Sequence, residues 1–353
     1  MATPPDLSIT LGTLRLKNPV VCASGEHTLT EAGIHAALAH GAAVVVAKST
    51  NESEAARAQL AQTDYARLDG DWSELPWSGS AEGSVLCRSG LQPRASGEWI
   101  EAIARLDREA RAQDAYVAAS IILADLAHAV ELARQVEAAG IRLLEFNVGT
   151  PYGDEAAHGG VTTERAAARI REVVAAVTGA VKIPVWVKLT GQSEDVSGLA
   201  AAARDGGAAA TIMIGRSLGM LPDLETQQPL LGTNLGYGGG WALPLACYWL
   251  AKSRKRLGPD YPLVGTNGAR SGTDVARMML AGASAVEMCS AVMTGGFGVL
   301  SAARDELARY LASKHMDAAQ LVGRAADAVS AYSALPERPD FWRGFVPAET
   351  LKG

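Results

Sequence analysis

The chain has 353 residues and few aromatics, 5% in all, with only four phenylalanines and four cysteines. Cys22, Cys87, Cys247 and Cys289 form no Cys-x-x-Cys pair. That excludes the usual spacing of a structural zinc site or an iron–sulfur cluster, and no metal is expected. The scattered thiols, with no signal-like pattern in MATPPDLSIT, point to a reducing cytoplasm rather than a disulfide framework. Cys22 and Cys289 fall in apolar, strand-like runs and read as small buried side chains. No apolar stretch reaches the roughly 18 residues of a membrane span. A net charge of −6 gives no basic field for nucleic acid or an anionic membrane. The one basic run, KSRKR at 252–256, is expected at a helix C-terminus, where cations suit the dipole.

What is present is an alternation of short apolar runs with Ala-rich amphipathic ones. Strands are predicted at 19–23, 43–48, 115–121, 142–147, 184–189, 209–214, 261–265 and 284–288. Helices are predicted at about 30–40, 97–111, 125–139, 161–178, 194–206, 243–257, 272–281 and 298–313. Near-continuous apolar strands separated by helices are parallel strands buried on both faces. Eight such units define an α/β (β/α)8 TIM barrel, here a single domain with a core at about 19–313. An open doubly wound sheet is the alternative, but CASGEHTLT after the first strand lacks its G-x-G-x-x-G loop. LSITLGTLRLKN (7–18) alternates around Gly12 and reads as a hairpin capping the bottom of the barrel. Long loops follow strand two (51–96) and strand six (215–242), and loops of that length are commonly functional. A C-terminal extension covers 314–353, and its Phe341, Trp342 and Phe345 are expected to dock on the barrel or on a second subunit.

Strand ends locate the chemistry, because barrel active sites lie at the C-terminal face. The ends read Ala23-Ser24-Gly25, Lys48-Ser49, Asn147, Lys188, Gly265-Thr266-Asn267-Gly268 and Cys289-Ser290. A lysine in a parallel strand is costly unless it meets an anion or a polar ligand, and there are two. GTNGARSGTDVARMMLAGASAVEMCSAV (265–292) places a Gly-rich turn and then a helix N-terminus where a phosphate can be held. By residue chemistry alone this site takes a phosphorylated ligand or cofactor.

In this order the segments LKNPVVCASG, VVAKST, EFNVGTPYG, PVWVKL, GYGGGWALP and the 265–292 run resemble the dihydroorotate dehydrogenase family of FMN-dependent barrels. The likeness is to its soluble, class 1-like branch and spans about residues 7–312. It implies FMN as cofactor, with contacts from Ala23, Ser24, Gly25, Lys48 and Ser49. It implies further flavin contacts from Asn147, Lys188, Ile214, Gly239, Gly240, Asn267, Gly268, Cys289 and Ser290. Lys188 would stabilise charge developing on the reduced flavin. Thr150 stands where the family places its Cys or Ser base, and Thr150, Lys48 and Cys87 are the candidate catalytic residues. A Thr hydroxyl is a poor base unless a neighbour takes its proton. Cys87 next to Arg88 is a second candidate acid or nucleophile. His27 and His158 are alternative proton donors.

Departures from the family's pattern bear on substrate. Of the asparagines that hold orotate only Asn147 persists; the others align with Tyr152, Cys87 and Ile214. Loss of amide forks leaves orotate's polar edges unpaired, so another small cyclic or conjugated substrate is expected. Asn147, Tyr152, Arg88 and Trp77 are the candidate substrate-binding residues, with Trp72 and Trp241 adding aromatic walls and Arg88 suited to a carboxylate. The expected partners are a soluble electron donor or acceptor and a second copy in a homodimer, with no nucleic acid and no membrane. Two alternatives stay open: a non-redox phosphate-binding barrel using a strand-end lysine as Schiff base, and a flavin-binding protein without chemistry.

Overall fold

The structure is a computed structural model and describes residues 4–149 and 165–351. A hairpin, β1 Ile9–Leu11 and β2 Leu14–Leu16, leads into β3 Val20–Cys22 and β4 Val44–Val46. Then follow β5 Asp64–Leu68, β6 Ser84–Arg88, β7 Tyr116–Ile122, β8 Leu144–Asn147 and β9 Val185–Lys188. The last strands are β10 Ala210–Met213, β11 Ser217–Gly219, β12 Leu235–Gly239, β13 Leu263–Gly265 and β14 Ala285–Met288. Strands β3, β4, β7, β8, β9, β10, β13 and β14 close into a parallel barrel in that cyclic order. Each lies on one of the strands predicted from apolar runs, so the doubly wound alternative is set aside.

Two cores form, because side chains alternate between the faces of a strand. Outward residues such as Val45, Val117, Phe146 and Val187 pack under the helices. Inward residues Val21, Val44, Val46, Ala118, Trp186, Ile212 and Val264 fill the barrel, and Leu11, Leu14 and Leu16 of the hairpin close its base. The hairpin is a bottom cap, as its alternation predicts.

The helices stay near their predicted bounds, for example Leu243–Leu257, whose last turn carries Arg254, Lys255 and Arg256. Arg256 pairs with Asp195 and Arg254 with Asp327. Helix Ser96–Ala110 buries Trp99, whose Nε1–H donates to the Lys48 carbonyl at 2.8 Å and fixes that strand end from behind.

Two expectations change. The two long loops are paired: β5, β6, β12 and β11 make an antiparallel sheet beside the barrel mouth. Gly-rich LGYGG gives no apolar alternation, and β12 meets β6 far away in sequence, so neither signal is local. In the extension, Ala318–Leu321 packs against the hairpin, with the Ala318 N–H donating to the Asp6 carbonyl at 2.9 Å. Phe341, Trp342 and Phe345 do not dock on the barrel; they remain 46%, 52% and 73% exposed.

A buried carboxylate ties a helix to β7 and to the turn before β8. Asp107, fully buried on helix Ser96–Ala110, accepts from the Val117 N–H at 2.9 Å and from Arg142 Nε and Nη2, each at 2.8 Å. Asp107→Ala takes the carboxylate from Arg142 and the acceptor from the Val117 N–H, and is expected to lower unfolding free energy by about 3 kcal/mol. Denaturant unfolding followed by circular dichroism checks this; a loss under about 1 kcal/mol contradicts the assigned role.

Candidate active site

The same period of two that fills the barrel with aliphatics also builds its charged upper layer. One step beyond Trp186 on β9 comes Lys188, and one step beyond Ala285 on β14 comes Glu287; Glu145 and Ser120 face inward from β8 and β7. These side chains therefore meet inside the barrel. Lys188 Nζ lies 2.7 Å from Glu145 Oε2 and 2.8 Å from Glu287 Oε2. Ser120 Oγ donates to Glu145 Oε1 at 2.8 Å. Burial opposes the charge on Lys188, but the two carboxylates outweigh it and its pKa is raised. Burial pushes Glu287 up to about 8, against the attraction of Lys188.

Above this floor opens a cleft with about 1170 Å³ of unfilled space, its mouth included. A row of hydroxyls climbs one wall: Ser120 Oγ to Ser49 Oγ at 2.8 Å, then Ser49 Oγ to Ser24 Oγ at 3.0 Å. Next to it, Lys48 Nζ donates to Glu26 Oε1 at 3.0 Å, and Tyr65 of β5 donates its hydroxyl to Glu26 Oε2. Burial works to raise the Glu26 pKa, but Lys48 and the Tyr65 hydroxyl bring it below the ordinary value. The fused sheet adds Cys87, Ser89 and Tyr237 to the lining. Arg216, at the start of the long connection after the sixth barrel strand, donates from Nη1 to Ser89 Oγ at 2.6 Å and reaches Cys87 Sγ at 3.6 Å. Gly236 permits this: a Cβ there would stand 2.6 Å from Arg216 Cδ and 2.7 Å from Cys87 Sγ.

The far wall comes from the last two barrel units. Asn267 has φ 68° and its carboxamide bridges two loops, accepting from the Gly239 N–H and donating to the Gly215 carbonyl, each at 3.3 Å. Gly268 has φ +123°, and a Cβ would sit 2.6 Å from the Leu243 nitrogen, so only glycine lets the turn lie flat here. Ser290 lines the cleft and opens a short helix, Ser290–Gly295.

The cleft gathers Ala23, Ser24, Gly25, Lys48, Ser49, Cys87, Asn147, Lys188, Asn267, Gly268, Cys289 and Ser290. Cys289 is thus part of the lining, not a core residue; Cys22 is buried as expected. Other candidates lie elsewhere. The Ile214 side chain turns away and packs over Gly191. Gly239 and Gly240 sit behind the lining, Gly240 against Arg270. Arg88 is a latch of the fused sheet, donating from Nε to the Gln62 carbonyl at 2.6 Å and from Nη1 to the Leu231 carbonyl. Trp77 stands behind Tyr65, ring centroids 5.0 Å apart. Trp241 stacks on Tyr237 at 4.4 Å, and Trp72 lies 6.3 Å from Tyr237, about half exposed. Both ring nitrogens of His27 are shut off from solvent, and burial brings its pKa down to about 4, so it is no imidazolium donor at neutral pH. Thr150, Tyr152 and His158 lie outside the described residues.

Sequence reasoning passed over Glu26, Tyr65, Arg216, Glu145 and Glu287. Strand parity applied to Glu145 and Glu287 would have found two of them. Tyr65 and Arg216 depend on the fused sheet.

A closed parallel barrel with a charged, hydroxyl-lined cleft at its C-terminal mouth is the frame of an enzyme whose chemistry is set by strand ends. The sequence profile described as dihydroorotate dehydrogenase matches residues 6–311, and the chain belongs to that family, whose members are FMN-dependent oxidoreductases acting on a CH–CH bond. It is 27% identical over 315 residues to the dihydroorotate dehydrogenase B (NAD(+)) catalytic subunit of Methanocaldococcus jannaschii, covering 88% of this chain and 95% of that protein. The like-named protein of Methanocella arvoryzae is 30% identical, covering 89% and 96%. Dihydroorotate dehydrogenase A (fumarate) of Lactobacillus helveticus is 37% identical over 164 residues, 46% of this chain and 52% of that protein. Among the described residues no helix is long and apolar enough to cross a membrane.

The lowered pKa of Glu26 fixes a sign. Its ion pair contributes stability above the unfolded carboxyl pKa, near 4.5, and that contribution is lost as pH falls through the lower folded value. Glu26→Gln should therefore flatten the acid limb of the stability–pH curve while lowering stability at neutral pH. Thermal unfolding across the acid range measures this; an acid limb identical to wild type contradicts the ion pair.

Proposed function

We propose that the chain binds FMN in this cleft and moves a hydride between the flavin and a C–C bond of a small unsaturated or cyclic acid other than orotate. Bound FMN supplies the hydride donor or acceptor. The described residues suit it: Lys188 offers a fixed cation at the floor, the serine row and Asn147 offer hydrogen bonds, and the Gly268 and Ser290 turns offer backbone N–H groups for a phosphate. Lys188, held between two carboxylates, stays protonated, which speaks against the Schiff-base alternative.

The observation that carries the substrate reading is Glu26. Its carboxylate enters the lining and takes up the Lys48 ammonium at 3.0 Å, so neither is a ready partner for an anionic pyrimidine. Cys87 faces the same space, where the resemblance calls for an amide, and a thiol returns a far weaker hydrogen bond. Beside Cys87, Arg216 supplies a guanidinium for a carboxylate, the role first considered for Arg88. An electron donor or acceptor of low molecular weight, a cytoplasmic setting and a homodimer belong to this proposal. Thr150 keeps its place in it as the candidate base.

Two measurements test it. Protein purified as expressed should be yellow and release FMN on heating; colourless protein that fails to take up added FMN ends the proposal. Small unsaturated acids that perturb the flavin spectrum should bind about 10–100-fold more weakly to Arg216→Ala, the equivalent of one lost charged hydrogen bond. Unchanged affinity would remove Arg216 from substrate binding.

A further inference from the structure

The cluster beneath the cleft has an imbalance of charge. One ammonium, Lys188, meets two carboxylates, Glu145 and Glu287, whose side chains are 1% and 0% exposed. Left fully ionised the group would carry a net negative charge on side chains almost wholly shielded from water, which is a costly arrangement in a protein. A single added proton makes it neutral.

The surroundings decide where that proton sits. Glu145 already accepts from Ser120 at 2.8 Å as well as meeting Lys188 at 2.7 Å. Glu287 meets Lys188 at 2.8 Å, and its register partner on β3 is the apolar Val21. The titratable groups that act on it are Lys188 and Glu145. Cys22, on the adjacent strand, feels its charge and has its own thiol pKa raised, chiefly by burial. Burial first, and the Glu145 charge second among the raising causes, bring Glu287 up to about 8.

The cluster is also connected. From Glu145 a row of hydroxyls runs through Ser120 and Ser49 to Ser24 at the cleft, with steps of 2.8, 2.8 and 3.0 Å. Each serine both donates and accepts, so the row can pass a proton inward by a shift of each O–H.

We propose that Glu287 holds one exchangeable proton for the Lys188 cluster, taken from and returned to the cleft along Ser24, Ser49, Ser120 and Glu145, and that its occupancy offsets charge changes at the cleft floor. This rests on the flavin reading for its use, but the proton itself does not depend on flavin. When two electrons from substrate or dithionite place negative charge beside Lys188, a Glu287 carboxylate that was ionised takes up one proton from solvent. Above its pKa, reduction therefore consumes one proton more than in a chain without this group. Glu287 is a positioning residue in this account: it acts by setting the charge that Lys188 presents.

Glu287→Gln fixes the neutral form with little change of shape. In the purified protein, flavin-loaded or not, the folded pKa of Glu287 lies above the unfolded value, so its contribution to stability is full below about 4.5 and is lost as pH rises through about 8. Wild type should lose thermal stability relative to E287Q as pH rises across that window; a constant difference would overturn the stored proton. Where FMN is bound, the wild-type two-electron potential should fall with pH above 8 more steeply than that of E287Q, by one tenfold step in proton activity per unit, about 30 mV. Parallel lines would overturn the coupling to the cleft. Failure to bind FMN would end the flavin reading, with the stability comparison still deciding on the proton. Should E287Q not fold, the infrared band of a protonated carboxyl in wild type decides: its loss as pH rises through 8 supports the proposal, and its absence at neutral pH overturns it.

Discussion

A lysine ammonium buried inside a barrel is tolerable only with its charge compensated, and this constraint organises the mouth of the structure. Lys188 requires Glu145 and Glu287; their excess charge in turn requires a proton, and Glu145 requires the Ser120 hydroxyl. Ser120 continues the chain to Ser49 and Ser24. Breaking one of these contacts leaves a buried polar group unpaired, which costs more than making the contact gains. The aliphatic layer below, with Trp186 and the hairpin leucines, keeps water from entering underneath and so keeps the cluster's electrostatics strong.

Much of this was legible in the sequence because barrel strands announce themselves locally. VVVAK, RLLEF and PVWVKL are largely apolar, and the strand-end residues Lys48, Asn147 and Lys188 mark the mouth. The parity that set Lys188 inward applies equally to Glu145 and Glu287, but a glutamate inside an apolar strand reads first as a surface residue until its neighbours are known. The fused sheet was not legible. β6 and β12 pair Cys87 with Gly236, and nothing within either segment names the other. Its absence from the sequence view explains the exchange of arginines: Arg88 next to Cys87 in sequence is a latch on backbone carbonyls, while Arg216, distant in sequence, reaches the thiol.

Three features of the cleft support the proposal of a ligand other than orotate. Glu26, Lys48 and Tyr65 form one closed set of hydrogen bonds, already satisfied without substrate. Cys87, which pairs with Tyr65 across the sheet, and Arg216 line the same cleft, and Tyr237 with Trp241 stacked behind it gives an apolar wall. A site of this kind rejects a ligand by leaving buried polar atoms unmatched, which discriminates more sharply than fit to an apolar pocket. The family membership fixes the kind of reaction; the residues around Glu26 and Arg216 bear on which molecule undergoes it.

The central claim is that flavin chemistry is retained while orotate recognition is not. The most direct test mixes the oxidised, FMN-loaded protein with dihydroorotate under anaerobic conditions and follows the flavin absorbance. The account predicts that dihydroorotate leaves the flavin oxidised although dithionite reduces it fully. Rapid bleaching by dihydroorotate would contradict it.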